Sequence, residues 1–384
     1  MNKKKIWYAP NSFEAYGEKE IKAVEECLRA GWLAGFGERT IEFEKRIAKL
    51  FGKKYASFVN SGSSACLLAV ASLGLPKGAE IITPACTFST TVAPIIQLGF
   101  QPVFCDVGLN TYVPSLKAIL EKITDKTKAI MIPNLIGNKP DWAALRSALA
   151  ALNRKDILLI EDSADTVTYT ADSDISTTSF YASHVITAGG SGGMVMFNNK
   201  KHLDLALQYR DWGRVGNNSE YIDERFNHTV DNIPYDFKFL YGVLGYNFKS
   251  SEMNAAFGLV QVERFEKFRQ IRRDNIERYL ENLKDVEEIL LPDDSIEPNW
   301  LAVPLQTEKR LELLTFLEEN NIQTRVTFAG NVTRHPAYRQ YLQEFTNADE
   351  IMRNGFLLGA HHGMTLEDVD YVCNKIKEFF GRYL

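Results

Sequence analysis

Three short segments carry residue types that could bind an anion, an aromatic ring and a cationic ring nitrogen. Residues 60–65 read NSGSSA, small hydroxyl residues and a glycine between an apolar run (KYASFVN) and a helical pattern (SSACLLAVASLGL). A helix start of that composition offers free backbone N–H groups and hydroxyl donors, which suits an anion; the same turn also serves as an ordinary helix cap. Residues 83–89 read TPACTFS, after the run around Ile81. Phe88 there could lie flat on an aromatic ring or fill the core. Residues 160–165 read IEDSAD and close the run DILLIEDSA. Asp162 could cap the next helix, or hold a protonated pyridine nitrogen and so make the ring an electron sink.

The elements around these segments decide how they are read. Residues 14–50 show apolar positions at three- and four-residue steps, with Gly31 and Gly52 as stops, and predict two helices. Short apolar runs then alternate with helical patterns: KYASFVN, AEIITPA, QPVFCDV, KAIMIPNLI, DILLIEDSA and GGMVMFNN. Nearly continuous apolar strands separated by helices indicate a mainly parallel sheet buried on both faces. Ligands of such sheets sit at the carboxyl ends of the strands, where all three segments fall. Residues 210–246 are polar and aromatic with turn signals, an irregular stretch of the kind that is usually functional. A long helix over residues 251–283 and renewed alternation to the end predict a smaller second α/β domain, giving 1–250 and 251–384.

Composition narrows the class. The 384 residues are 45% hydrophobic and 24% charged with a formal charge of −5, an ordinary globular balance with no basic face for nucleic acid. The basic run Lys3–Lys5 reads as a solvated, frayed terminus. The cysteines at 27, 66, 86, 105 and 373 are scattered and odd in number, which argues for reduced thiols and a cytoplasmic location. No run is long enough to span a membrane, and the first residues lack the apolar core of a signal peptide.

Taken in order, these segments resemble the sugar aminotransferase (DegT/DnrJ/EryC1) family, fold-type-I pyridoxal-phosphate enzymes acting on nucleotide-linked keto sugars. The resemblance covers nearly the whole chain. It implies an aspartate aminotransferase-like α/β fold: a large domain with a mainly parallel seven-stranded sheet and a smaller C-terminal α/β domain. NSGSSA resembles the phosphate-binding turn, implying Gly62, Ser63 and Ser64; TPACTFSTT implies Phe88 as the ring-stacking residue; IEDSAD implies Asp162 at the pyridine nitrogen and Asp165 near the phenolic oxygen. SFYASHVITAGGSGGMV implies Ser179 at the phosphate, and GYNFKSSEMNAAFGLVQ implies that Asn247 reaches the cofactor phosphate of a neighbouring subunit, hence a homodimer. FAGNVTRHPAY implies Asn331 and Arg334 at the sugar nucleotide.

The pattern breaks five residues after Ser179, where the family's lysine is replaced by His184. A lysine amine condenses with the cofactor aldehyde; imidazole forms no such stable imine. Lys200 and Lys201 lie beyond the next strand, out of register. The cofactor is therefore expected to be held noncovalently, as pyridoxal or pyridoxamine 5′-phosphate. Two readings stay open: a homologue that binds cofactor without catalysis, and an enzyme in which His184, titrating near neutrality, is the proton-transfer base.

The lysine-to-histidine exchange resembles the nucleotide-sugar 3-dehydratase subgroup. One branch follows a DWGR sequence with a cysteine-rich loop for an iron–sulfur cluster; here Asp211-Trp212-Gly213-Arg214 leads into VGNNSEYIDERFNHT. A cluster needs cysteines close together, so no cluster and no metal are expected. The other branch, GDP-4-keto-6-deoxymannose 3-dehydratase, works without one. The resemblance thus implies loss of the 3-hydroxyl from a nucleotide-linked 4-keto-6-deoxy sugar, GDP favoured, in deoxysugar and O-antigen (lipopolysaccharide) biosynthesis, with glutamate restoring the amine form. A sugar aminotransferase-like activity is the alternative.

Overall fold

A computed structural model describes residues 4–10, 14–216, 219–293 and 300–381. Seven strands form the main sheet: β1 (Tyr55–Val59), β2 (Glu80–Pro84), β3 (Gln101–Cys105), β4 (Thr127–Pro133), β5 (Leu158–Asp162), β6 (Ile175–Ser179) and β7 (Gly193–Phe197). Their order is β1-β7-β6-β5-β4-β2-β3. β7 runs antiparallel to both its neighbours, and every other pair is parallel. The apolar runs of the sequence become β1 to β5 and β7.

β6 has a different composition. Its sequence ISTTS is hydroxyl-rich yet wholly buried. The hydroxyls are consumed internally: Ser176 donates to the buried Glu161, Thr177 to Asp162, and Thr178 to the carbonyl of Ser163. Ser173 and Thr170 also donate to Glu161. A buried carboxylate is tolerable only when its oxygens are satisfied, so this strand needs serine and threonine where its neighbours have valine and isoleucine.

The two N-terminal helices run Glu18–Ala30 and Glu38–Phe51 and end on Gly31 and Gly52, both left-handed. The helix Gly62–Ala71 is apolar on every side because it lies under β6 and β7 and against further helices. The helix Glu252–Leu283 is 32 residues long. It packs against both N-terminal helices and against the last helix, Leu366–Phe379. Beyond it, β10 (Ala302–Gln306), β11 (Thr324–Val326) and β12 (Gly355–Gly359) form an antiparallel sheet in the order β10-β12-β11. Ile6 bridges to Ile322 and shares the core of this C-terminal region, so the segment around Ile6 is anchored there. Within residues 210–246 stands an exposed hairpin, β8 (His228–Val230) with β9 (Ile233–Tyr235). Among the described residues no helix is long and apolar enough to cross a membrane.

Candidate active site

The carboxyl ends of β1, β5 and β6 open on one cavity of about 500 Å³. Its floor at one end is the first turn of the helix Gly62–Ala71. Ser61 caps that helix, its Oγ accepting from the N–H of Ser64 at 3.1 Å. Gly62 and Ser63 face the cavity beside Ser179 and Ser191. Gly62 has to be glycine, since a Cβ there would stand 2.7 Å from the Cβ of Ser179. A helix start ringed by hydroxyls is suited to a phosphate.

At the other end Asp162 is almost fully buried. Thr91 donates to its Oδ2 at 2.7 Å, and the backbone of Ala164 donates to Oδ1 at 3.2 Å. Burial raises this carboxyl above its ordinary value, and the hydrogen bonds offset only part of the rise. Such a group is completed by a cation. Phe88 stands on the cavity wall, half exposed, with Phe328 edge-on at 6.1 Å.

Asp165 and His184 share the wall next to Asp162. Oδ2 of Asp165 accepts the N–H of Ile136 at 2.8 Å. Burial pushes the Asp165 carboxyl up to about 7, and the charge of Asp162 adds to that. His184 lies in the loop after β6, which is closed by Ala188 N–H and Thr187 Oγ1 both donating to the carbonyl of Phe180. Burial, reinforced by the charge of Arg272, lowers the imidazole to about 4. Its Nδ1 is buried without a hydrogen-bond partner, with Asp165 Oδ1 4.0 Å away. That separation is too long for a hydrogen bond, so burial, not the pair, governs the ring as it stands. The imidazole is neutral at pH 7, and no lysine lines the cavity among the described residues.

The remaining sequence candidates lie elsewhere. Ser64 turns its hydroxyl to Asn60 Oδ1 at 2.7 Å and does not line the cavity. Asn247 is exposed and bridges to Asp211. Asn331 is fully buried: its amide donates to Asp349 and to the carbonyl of Gln343, and its oxygen accepts from Thr333. Arg334 forms an ion pair with the same Asp349. Neither Asn331 nor Arg334 reaches the cavity, because both are committed to this polar knot. The wall contains residues that sequence reasoning missed: Tyr8, Thr91, Tyr181, Ser183, Arg325 and Phe328. Thr91 was within reach, lying in the TPACTFSTT segment; Tyr8 belongs to a terminus that composition marks as frayed.

The DegT/DnrJ/EryC1/StrS aminotransferase family matches residues 14–377. The chain belongs to that family. It is 36% identical to the lipopolysaccharide biosynthesis protein RfbH of Salmonella typhimurium, over 97% of this chain and 92% of that one. It is 35% identical to a dTDP-4-dehydro-2,6-dideoxy-D-glucose 3-dehydratase of Saccharopolyspora spinosa, over 95% of this chain and 85% of that one. A solved GDP-4-keto-6-deoxymannose-3-dehydratase with a trapped PLP–glutamate geminal diamine superimposes with a TM-score of 0.85 at 27% identity, covering 97% of this chain and all of the other. The fold is therefore the fold-type-I, aspartate aminotransferase-like fold of this family. The residues present fit a pyridoxal phosphate: a helix start with hydroxyls for the phosphate, an aromatic wall for the ring, and a buried carboxyl lacking a cation for the nitrogen. Among the described residues no group of three His, Cys, Asp or Glu is placed to hold a metal ion.

Proposed function

We propose that this protein is a pyridoxal-phosphate-dependent 3-dehydratase of a nucleotide-linked 4-keto-6-deoxy sugar in deoxysugar biosynthesis. Membership of a family of PLP-dependent sugar-modifying enzymes is the broader frame. One observation carries the narrower reading: a neutral histidine, His184, occupies the cavity wall where the family's aminotransferases need a lysine. A wall with a proton carrier but no primary amine can move a proton; it cannot release its product by exchanging the cofactor onto a lysine.

When bound, the cofactor supplies an electron sink for the carbon that loses its proton. The chain's own groups do the rest. Gly62, Ser63 and Ser179 would hold the phosphate. Phe88 would lie against the ring, and Asp162 would keep the ring nitrogen protonated. His184 would carry the proton from the carbon that the cofactor activates to the departing 3-hydroxyl. The balance closes with glutamate as co-substrate: the sugar exchanges its 3-hydroxyl for hydrogen, while glutamate becomes 2-oxoglutarate and ammonia. Residues 1–250 carry the cofactor and 251–384 form the smaller unit. A homodimer is part of the reading, and the exposure of Asn247 leaves it free to meet a second subunit.

The test is incubation with pyridoxal phosphate, glutamate and a panel of GDP-, dTDP- and CDP-linked 4-keto-6-deoxy sugars, read by mass. The expected outcome is a product short of one oxygen together with ammonia, with the GDP sugar turned over. A product gaining an amino group would establish the aminotransferase instead, and silence on every sugar with cofactor bound would establish a non-catalytic homologue.

A further inference from the structure

We infer that Asp165 is a positioning residue for His184, taking the Nδ1 proton of the imidazole and so directing the Nε2 lone pair at the substrate. The inference rests on the reading of His184 as the base. Three features of the chain itself carry it.

First, topology. β5 and β6 are parallel neighbours, so the loops leaving their carboxyl ends run side by side and bring Asp165 and His184 to one wall. Second, hydrogen-bond accounting. Nδ1 of His184 is sealed from solvent and has no partner, an expensive state for a polar atom. The nearest carboxylate oxygen is Oδ1 of Asp165 at 4.0 Å. The other oxygen of that carboxylate, Oδ2, is tied to Ile136 N–H, so Oδ1 is left to the histidine. A rotation closing about 1 Å makes the bond, a change of the kind catalytic hydrogen bonds undergo on ligand binding.

Third, the anchor of Asp165 is itself strained. Ile136 holds φ at +63°, a region that β-branched residues scarcely enter. Its N–H serves Asp165 and its carbonyl accepts from Leu301 N–H at 2.7 Å. Strain of this kind persists where surrounding contacts over-determine it. Here the result is a fixed carboxylate facing a fixed loop.

The charged groups around the pair have distinct parts. Arg272 comes from the long helix and donates to the carbonyl of Leu301 at 2.8 Å. Its charge opposes protonation of His184. Asp162 raises Asp165, and Tyr8, from the N-terminal segment, feels the charge of Asp165. Tyr181 accepts the backbone N–H of His184 at 3.0 Å, and its ring meets the imidazole edge-on at 6.4 Å. Asp165 is thus the anionic partner within reach of Nδ1.

The experiment uses full-length protein with bound pyridoxal phosphate and nitrogen-15-labelled histidine, the His184 signal being assigned by its loss in His184→Asn. Above the Asp165 value of about 7, wild type is expected to show the Nδ1–H tautomer. In Asp165→Asn, which keeps an acceptor for Ile136, the tautomer is expected to shift toward Nε2–H and the imidazole to titrate lower. Turnover should fall roughly 10- to 100-fold, the range for losing a group that orients a functional histidine, with cofactor affinity retained. An Nε2–H tautomer in wild type overturns the proposal without any variant. So does a fall in Asp165→Asn turnover that leaves the His184 titration unmoved, since Asp165 would then act on the cofactor alone. If His184→Asn itself keeps full turnover, the reading of His184 as base fails, a result separate from the tautomer.

Discussion

Arg334 clasps Asp349 with two nitrogens, Nη2 reaching Oδ2 at 2.7 Å, and the buried amide of Asn331 donates to the same carboxylate at 2.8 Å. The motif NVTR therefore ties the C-terminal region together. Asn331→Ala strips Thr333, Asp349 and Gln343 of their buried partner and should cost roughly 2 kcal/mol of stability. The Michaelis constant for the sugar should barely change. Thermal melts beside steady-state kinetics separate the two effects. The pairing with Arg334, the largest cause, holds the Asp349 carboxyl down to about 2. Its contribution is thus full above the ordinary aspartate value near 4 and is lost as pH falls through about 2.

Asp162 should govern cofactor retention. Its carboxyl is buried and already satisfied by Thr91 and Ala164, so Asp162→Asn preserves packing while removing the charge that a pyridinium needs. Pyridoxal phosphate should bind roughly 10- to 100-fold more weakly, one to two pKa units of lost pairing. Cofactor titration followed by absorbance measures this, and binding equal to wild type would show that the nitrogen lies elsewhere.

Phe88 gives a smaller effect of the same kind. It is half exposed and meets the Phe328 ring edge-on, so Phe88→Ala should leave the fold intact. Loss of a stacked ring is worth about 1 kcal/mol, or roughly fivefold in cofactor affinity, without altering which product forms.

His184→Lys tests the wall from the other side. A lysine there should form a borohydride-reducible link to pyridoxal phosphate, seen as a mass increment on the protein. Dehydration should fall by roughly 100-fold or more, the scale of a lost acid–base group, while an amino-sugar product appears. If transamination merely rises from a pre-existing level and no dehydration was present to lose, wild type is an aminotransferase-like enzyme.

Most strands and the three segments that line the cavity were legible because each announces itself locally. β1 to β5 and β7 are apolar runs, and NSGSSA or IEDSAD stand at their ends. β6 escaped that reading because its pattern answers to Glu161, a partner supplied by the neighbouring strand, and not to solvent or core. Tyr8 and Arg325 escaped for a related reason. Arg325 lies over the Tyr8 ring at 5.5 Å, but the pairing exists only because Ile6 bridges to Ile322 across almost the whole chain. The contacts of Asn331 and Arg334 were equally hidden, because both turn to the buried Asp349 eighteen and fifteen residues further along the chain. What a side chain faces across the fold is invisible to spacing.

Buried histidines make the protein acid-labile in the same direction as its carboxylate ion pairs, but starting from a higher pH. Burial, reinforced by the charge of Arg272, pushes His184 to about 4, His361 to about 3 and His362 to about 2. Each titrates near 6.5 when unfolded, so below that value the unfolded chain binds protons the folded chain refuses. The histidine contribution should be full above pH 6.5 and decline steadily below it. His362 is the clean test. It stacks on Phe268 at 3.8 Å, and neither ring nitrogen has a hydrogen-bond partner. His362→Phe should gain about 2 kcal/mol over wild type at pH 5, from 1.5 pKa units of avoided protonation at about 1.4 kcal/mol each. At pH 8 that gain should vanish. Denaturant melts at the two pH values measure it, and a gain independent of pH would mean that packing, not protonation, is the cause.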